Sequence, residues 1–311
     1  MKPTVLQLGP LHPLVEKGLA AGYDVLDLRK AADPAAFIAT HAAAIEAVAS
    51  SGRNGVDAAL IDALPRLRIV GHFGVGYDNV DAVHAKAKGV VVSNTPDVLT
   101  DCVADLAIAL VIDVARGITA GDRYVRAGKW LQGPMALASK VSGRRLGILG
   151  LGRIGQAIAR RAEGFGMTIR YHNRKPVAGS SYGYCATLEE LASQSDFLVI
   201  ATSGGAATRG IVSRKVLESL GPAGFLVNIA RGSVVDEPAL VEALASKRIA
   251  GAALDVFADE PSVPPALFAM ENVVLAPHIA SATVETRTAM ARLVLDNLAS
   301  FFATGKALTP V

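Results

Sequence analysis

Cysteine is nearly absent from this 311-residue chain: Cys102 and Cys185 are the only two, and they lie far apart. That excludes a disulfide framework, offers no spacing for a metal site, and suits a reducing cytoplasm. Clustered positive charge is also lacking. The 31 Lys and Arg stand against 28 Asp and Glu, a formal charge of +3 with no basic run, so nucleic acid is not expected as a partner. Long apolar runs are missing too. The most apolar helical stretch, DLAIALVIDVARGI, is broken by Asp105, Asp113 and Arg116, well short of a membrane span, and reads as a buried or interface helix. The opening MKPTVLQLGPLHP has Gly9, Pro10 and Pro13 around one short apolar run, unlike a secretion signal; a first strand is expected there. No internal repeat of fixed period and no low-complexity tract occurs.

What is present is apolar substance: 51% hydrophobic against 19% charged residues, enough for a large core and two domains. Short apolar runs alternate with Ala-rich helical stretches, the pattern of parallel βαβ winding. In the first part the strands are expected at TVLQL, YDVLDL, AIEAVAS, LRIVGHF and VVVSN. One long helical segment should then run from Asp97 to Ala127, followed by a loop at GKWLQGP. A second winding follows with more uniformly apolar strands, RLGIL, TIRYHN, DFLVIAT, GFLVNIA, AGAALDVF and NVVLAP, which suits strands covered on both faces. The last helix, TVETRTAMARLVLDNLASFFA, should lead the chain back to cover the first part. The expected domains are therefore 1–96 with 283–311, and 97–282.

GLGRIG, at Gly150, Gly152 and Gly155, follows the strand RLGIL and precedes the helix QAIARRAEG. In that context the three glycines serve a tight turn, a close backbone approach to a pyrophosphate, and close helix-to-strand packing. The free N–H groups at the helix start complete a dinucleotide site. One more absence then becomes informative. The second strand of the unit ends in Asn173, Arg174 and Lys175, where a site built for NAD places an acid on the ribose hydroxyls. Losing the acid removes repulsion of a 2′-phosphate, and Arg174 with Lys175 supplies attraction, while Asn173 keeps a neutral contact to the ribose. NADP(H) is the expected cofactor, with NAD(H) possible.

In open parallel sheets, ligands bind beyond the carboxyl ends of the strands. GFLVNIA runs into Arg231, AGAALDVF leads to Asp259 and Glu260, and NVVLAP ends at His278. An arginine, a carboxylate and an imidazole at three such ends match carbonyl reduction, which needs a fixed cation and a proton donor where charge grows on oxygen. Arg231 can polarise a keto oxygen and hold a neighbouring carboxylate with its fork. His278 can donate the proton, and Glu260 beside it would favour the protonated ring. His12, His41, His72, His84 and His172 have no comparable placement.

These residues resemble a known family, the D-isomer-specific 2-hydroxyacid dehydrogenases, and within it the glyoxylate/hydroxypyruvate reductases and hydroxyphenylpyruvate reductases. The likeness covers essentially the whole chain and is carried by GHFGVGYDNVD, GILGLGRIG, YHNR, LVNIARGSVVDEPAL, AGAALDVFADEP and LAPHIASATVETR. It implies an α/β protein of two doubly wound parallel-sheet domains, a Rossmann-type cofactor domain and a smaller flavodoxin-like substrate domain. It implies a 2-keto acid or 2-hydroxy acid as substrate, with its carboxylate on the N–H groups of Val75 and Gly76 and on Arg231, and with Ser51 and Gly52 as further contacts. Arg231, Glu260 and His278 are the implied catalytic set, Asp255 lies near the nicotinamide, and a homodimer forms through the cofactor domain, with the loop of Trp130 reaching the other subunit. The candidate cofactor contacts are Gly150, Gly152, Arg153, Ile154, Gly155, Asn173, Arg174, Lys175, Thr202, Ser203, Ile229, Ala230, Arg231, Asp255, His278 and Ser281. His72, Phe73, Tyr77 and Trp130 are candidates for lining a substrate pocket. One departure from the family pattern is ATSGGAATRG after the strand DFLVI, where Thr202 and Ser203 replace an apolar, Pro-containing segment; their hydroxyls could bond the adenosine phosphate, or the loop could simply be flexible. An aromatic 2-keto acid reductase is the alternative activity, and a nicotinamide-sensing regulator the alternative from another class.

Overall fold

The computed structural model describes residues 2–311. The chain divides into two compact units, Met1–Leu99 with Thr283–Val311, and Thr100–Ala282. In the first, β1 (Thr4–Gln7), α1 (Pro13–Gly22), β2 (Asp24–Asp27), α2 (Pro34–His41), β3 (Ile45–Ser51), α3 (Ala58–Ala63), β4 (Ile69–Phe73), α4 (Ala82–Ala87) and β5 (Val91–Ser93) alternate regularly. The strands form one parallel sheet in the order β2-β1-β3-β4-β5, the flavodoxin-like winding. Asp33, Asp57 and Asp81 cap α2, α3 and α4, each accepting from a backbone N–H of the first turn. These caps satisfy donors that would otherwise be orphaned. The carboxyl-terminal helix, Val284–Thr304, buries Met290, Ala291, Val294, Leu298 and Phe301 along one stripe. It packs on the sheet so closely that a Cβ on Gly71 of β4 would stand 3.3 Å from Leu298.

The second unit opens with α5 (Thr100–Arg116) and α6 (Ile118–Arg126), which corrects the expectation of one helical segment from Asp97 to Ala127. Gly117 adopts a left-handed φ of 63°, ending α5 as glycine does at a helix carboxyl terminus, and Asp113 accepts the N–H of Thr119 to start the next helix. Then come β6 (Arg145–Leu149), α7 (Arg153–Glu163), β7 (Thr168–His172), β8 (Gly183–Tyr184), α8 (Leu188–Ser193), β9 (Phe197–Ile200), α9 (Arg214–Leu220), β10 (Phe225–Asn228), α10 (Glu237–Ala245), β11 (Gly251–Leu254) and β12 (Val273–Leu275). The parallel order β12-β11-β10-β9-β6-β7-β8 is a doubly wound dinucleotide-type sheet with an added strand. Its direction of winding reverses between β6 and β9, the place where such sheets bind ligands. The central strands β9, β10 and β11 are buried along their whole length and apolar except for Asn228 at the end of β10. Among the described residues no helix is long and apolar enough to cross a membrane.

Candidate active site

The glycine turn sits at the reversal point, between the end of β6 and the start of α7. Gly150 has φ 99°, and a Cβ there would stand 2.7 Å from the Thr202 nitrogen, so the turn accepts no side chain. A Cβ at Gly155 would stand 2.1 Å from the Gly150 carbonyl oxygen, while one at Gly152 would meet nothing within 4 Å. Two glycines thus serve the fold and the middle one leaves open space at the helix start, where no side chain caps α7. Uncapped N–H groups beside open space fit a pyrophosphate. Arg153 and Ile154 form the first turn of that helix. Thr202 and Ser203 follow β9 alongside, with the Ala201 N–H on the Leu149 carbonyl at 2.8 Å and Ser203 O accepting from the Thr208 hydroxyl at 2.8 Å. The departing loop is therefore tied by its own hydrogen bonds.

Asn173 has a role the sequence did not disclose. Its Oδ1 accepts the Leu151 N–H at 2.7 Å, so the amide braces the glycine turn and keeps only its Nδ2 donor for a ligand. Arg174 and Lys175 are exposed, and among the described residues neither pairs with a carboxylate.

The catalytic candidates come from three adjacent strands, β10, β11 and β12. His278 Nδ1 lies 2.6 Å from Glu260 Oε2, and Glu260 Oε1 accepts the Phe257 N–H at 3.1 Å. Burial pushes the Glu260 carboxyl up, but the His278 hydrogen bond and charge, the Phe257 N–H and the Arg231 charge outweigh it and hold the group below its ordinary value. Arg231 follows β10, and Nη1 donates to the Ala230 carbonyl at 2.8 Å. Gly232 next to it packs on the backbone of Phe257 with no room for a Cβ, which sets the arginine loop against the Glu260 loop. Asn228, a polar residue inside the apolar strand β10, donates to Arg231 O at 3.0 Å and accepts from the Ala230 N–H at 3.0 Å. That buried asparagine, the one polar residue of LVNIA, is the sequence's sign of a shaped strand end.

Asp255 is fully buried, and its two oxygens accept the N–H groups of Ile279 and Ala280 at 2.7 and 3.0 Å. Burial pushes its carboxyl above the ordinary range, against the pull of those two donors and of His278. It acts by shaping the loop in which His278 holds a left-handed φ of 55°. Ile229 and Ala230 are buried, and Ser281 follows the pinned segment.

In the first unit, Ser51 and Gly52 leave β3 while Val75 and Gly76 leave its neighbour β4. Asn79 joins the two loops, donating to the carbonyls of Ser51 at 3.0 Å and Gly52 at 3.2 Å. The carbonyls of Gly74, Val75 and Gly76 accept from Thr95 N–H at 2.9 Å, Asn94 Nδ2 at 2.8 Å and His72 Nε2 at 3.1 Å. Among the described residues, the N–H groups of Val75 and Gly76 have no acceptor. His72 and Phe73, expected as pocket lining, are instead buried. The imidazole of His72 is engaged by Ser50 Oγ at 2.9 Å, and Phe73 lies between the His12 ring and the Arg287 guanidinium. Tyr77 and Trp130 are exposed.

Residues 108–280 match the model of the D-isomer specific 2-hydroxyacid dehydrogenase, NAD binding domain. The chain belongs to that family. As a 2-hydroxyacid dehydrogenase it is an oxidoreductase interconverting 2-keto acids and D-2-hydroxy acids. It is 48% identical over 307 residues to hydroxyphenylpyruvate reductase of Plectranthus scutellarioides, covering 99% of this chain and 98% of that protein. The same identity and coverage hold for glyoxylate/hydroxypyruvate reductase A of Arabidopsis thaliana. Among solved structures, the NADPH-dependent glyoxylate/hydroxypyruvate reductase of Sinorhizobium meliloti in complex with NADP and malonate matches with TM-score 0.93 and 44% identity, over 100% of this chain and 97% of that one. The family dehydrogenases thus share both sheets and their winding with this chain.

Proposed function

We propose that this dehydrogenase is a cytoplasmic, NADPH-dependent reductase of glyoxylate or hydroxypyruvate, acting as a homodimer. The observation that carries the catalytic part is the 2.6 Å contact between His278 Nδ1 and Glu260. With Nδ1 held, Nε2 is the nitrogen left to give a proton. In this reading the substrate carboxylate rests on the N–H groups of Val75 and Gly76 and on Arg231, whose fork also polarises the keto oxygen. The nicotinamide, when bound, supplies the hydride to the keto carbon. His278 passes its proton to the oxygen as negative charge gathers there, and Glu260 stabilises the ring while it is charged. Asp255 holds the His278 loop in place through its two backbone donors.

Preference for NADPH is supported by the uncommitted charge of Arg174 and Lys175 and by the absence of any acid at residues 173–175. The Sinorhizobium meliloti relative is a reductase of the same cofactor. The homodimer is supported by the exposed apolar side chains of Ile118, Val125, Trp130, Leu131 and Leu137, which lie close together in sequence in the cofactor unit and would be covered by a partner subunit.

An aromatic 2-keto acid is the second reading, favoured by the Plectranthus relative and by the exposed ring of Tyr77 beside the Val75–Gly76 turn. Steady-state rates with glyoxylate, hydroxypyruvate and 4-hydroxyphenylpyruvate separate the two. In the same assay His278→Ala should lower kcat by about 10²- to 10⁴-fold, a far larger factor than any change in KM for NADPH. A variant that keeps its rate would remove His278 from the mechanism.

A further inference from the structure

The turn Gly74–Gly76 leaves its strand with three successive carbonyls captured from the protein side. In a trans peptide the N–H of each residue points opposite to the carbonyl of the residue before it. Holding Gly74 O inward through Thr95 therefore turns the Val75 N–H outward, holding Val75 O through Asn94 turns out the Gly76 N–H, and holding Gly76 O through His72 turns out that of Tyr77. Successive N–H groups presented this way make an anion-binding concavity. Two of the three inward donors are side chains, and both are firmly backed. His72 is 1% exposed; since a carbonyl can only accept, its Nε2 carries the proton, while Ser50 Oγ engages Nδ1 at 2.9 Å. Asn94 is fixed by the chain end, where the Thr309 hydroxyl donates to Asn94 O at 2.7 Å and the buried Asn297 donates to Thr309 at 2.8 Å.

We infer that His72 and Asn94 are positioning residues of this reductase, orienting the Val75–Tyr77 backbone so that three consecutive N–H groups, that of Tyr77 included, grip the substrate carboxylate. Neither side chain touches substrate; each works through the carbonyl it holds. The inference rests on the reading of this turn as the carboxylate site. It makes the buried imidazole before the turn, which has no part in proton transfer, a determinant of substrate affinity.

The test compares wild type with His72→Phe, His72→Gln and Asn94→Ala, measuring kcat and KM for hydroxypyruvate, KM for NADPH, and the calorimetric Kd of oxamate with NADPH present. The aromatic variant keeps the volume of the ring and loses the donor; the glutamine can return a donor near the Nε2 position. His72→Phe and Asn94→Ala should each raise KM and the oxamate Kd about tenfold, leave kcat within about twofold, and leave KM for NADPH unchanged, with His72→Gln recovering most of the loss. A merely structural role would lower the active fraction, and so kcat, without moving KM. Folded donor-less variants that bind oxamate like wild type would overturn the inference, as would the failure of both to fold. If wild type binds oxamate but reduces none of the 2-keto acids, the proposed reaction fails, and the variants' oxamate affinities still decide this point.

Discussion

Glu260 serves two donors at once, the imidazole of His278 and the backbone N–H of Phe257, and its carboxyl is held below its ordinary value of 4.5. A carboxylate lowered in the folded state contributes stability that is fully present above its unfolded value and lost as pH falls through the folded one. Glu260→Gln should therefore melt at lower temperature than wild type near neutrality, by the equivalent of about 1 kcal/mol for a pair so open to solvent. Melts recorded across pH should show that gap closing below about pH 4.5. Asp255 behaves in the opposite sense because burial dominates its environment. Replacing it with Asn would turn a donor toward one of the two N–H groups it now accepts. Asp255→Asn should cost about 1–3 kcal/mol and lower kcat more than KM, since His278 loses its setting; chemical denaturation and steady-state kinetics check the two halves separately. At the adenosine end, Arg174→Ala should raise KM for NADPH about tenfold and leave that for NADH nearly unchanged.

At the scale of elements, the glycine turn shows how little room the second sheet leaves at its reversal point. Gly155→Ala would drive a methyl into the Gly150 carbonyl, and overpacking of that kind costs about 1–3 kcal/mol, read as a drop in Tm of several degrees with cofactor affinity lost alongside. The strands were legible because each is a short apolar run bounded by turn residues, and in β9, β10 and β11 burial on both faces makes the run uniform. Two features escaped. Strand β8 has two residues, Gly183–Tyr184, too few to carry any period. The break between α5 and α6 depends on the backbone of Gly117, and a glycine inside an apolar helical pattern reads equally as tolerated or as terminal. Of the site, the strand-end trio could be seen because charged side chains stand out after apolar runs. The supports at His72, Asn94 and Asn173 could not, because each acts by meeting a backbone group whose direction only the folded chain defines, whereas Asn228 at least stands out as the polar residue of LVNIA.

For the whole molecule, the proposed reaction draws on both windings: the glycine turn with Arg231, Glu260 and His278 belongs to one unit and the Val75–Gly76 turn to the other. The apolar side chains from Ile118 to Leu137 predict that sedimentation will find a dimer, and that the double variant Leu131→Asp, Leu137→Asp will run as a monomer, since a charge buried in an apolar interface is costly. The proposed cofactor preference rests on Arg174 and Lys175 standing where a site built for NAD places an acid. The measurement that bears on it most directly is kcat/KM for NADPH against NADH with saturating hydroxypyruvate. A preference for NADPH of about tenfold or more, worth about 1.4 kcal/mol, is the predicted result; equal values or a preference for NADH would contradict it.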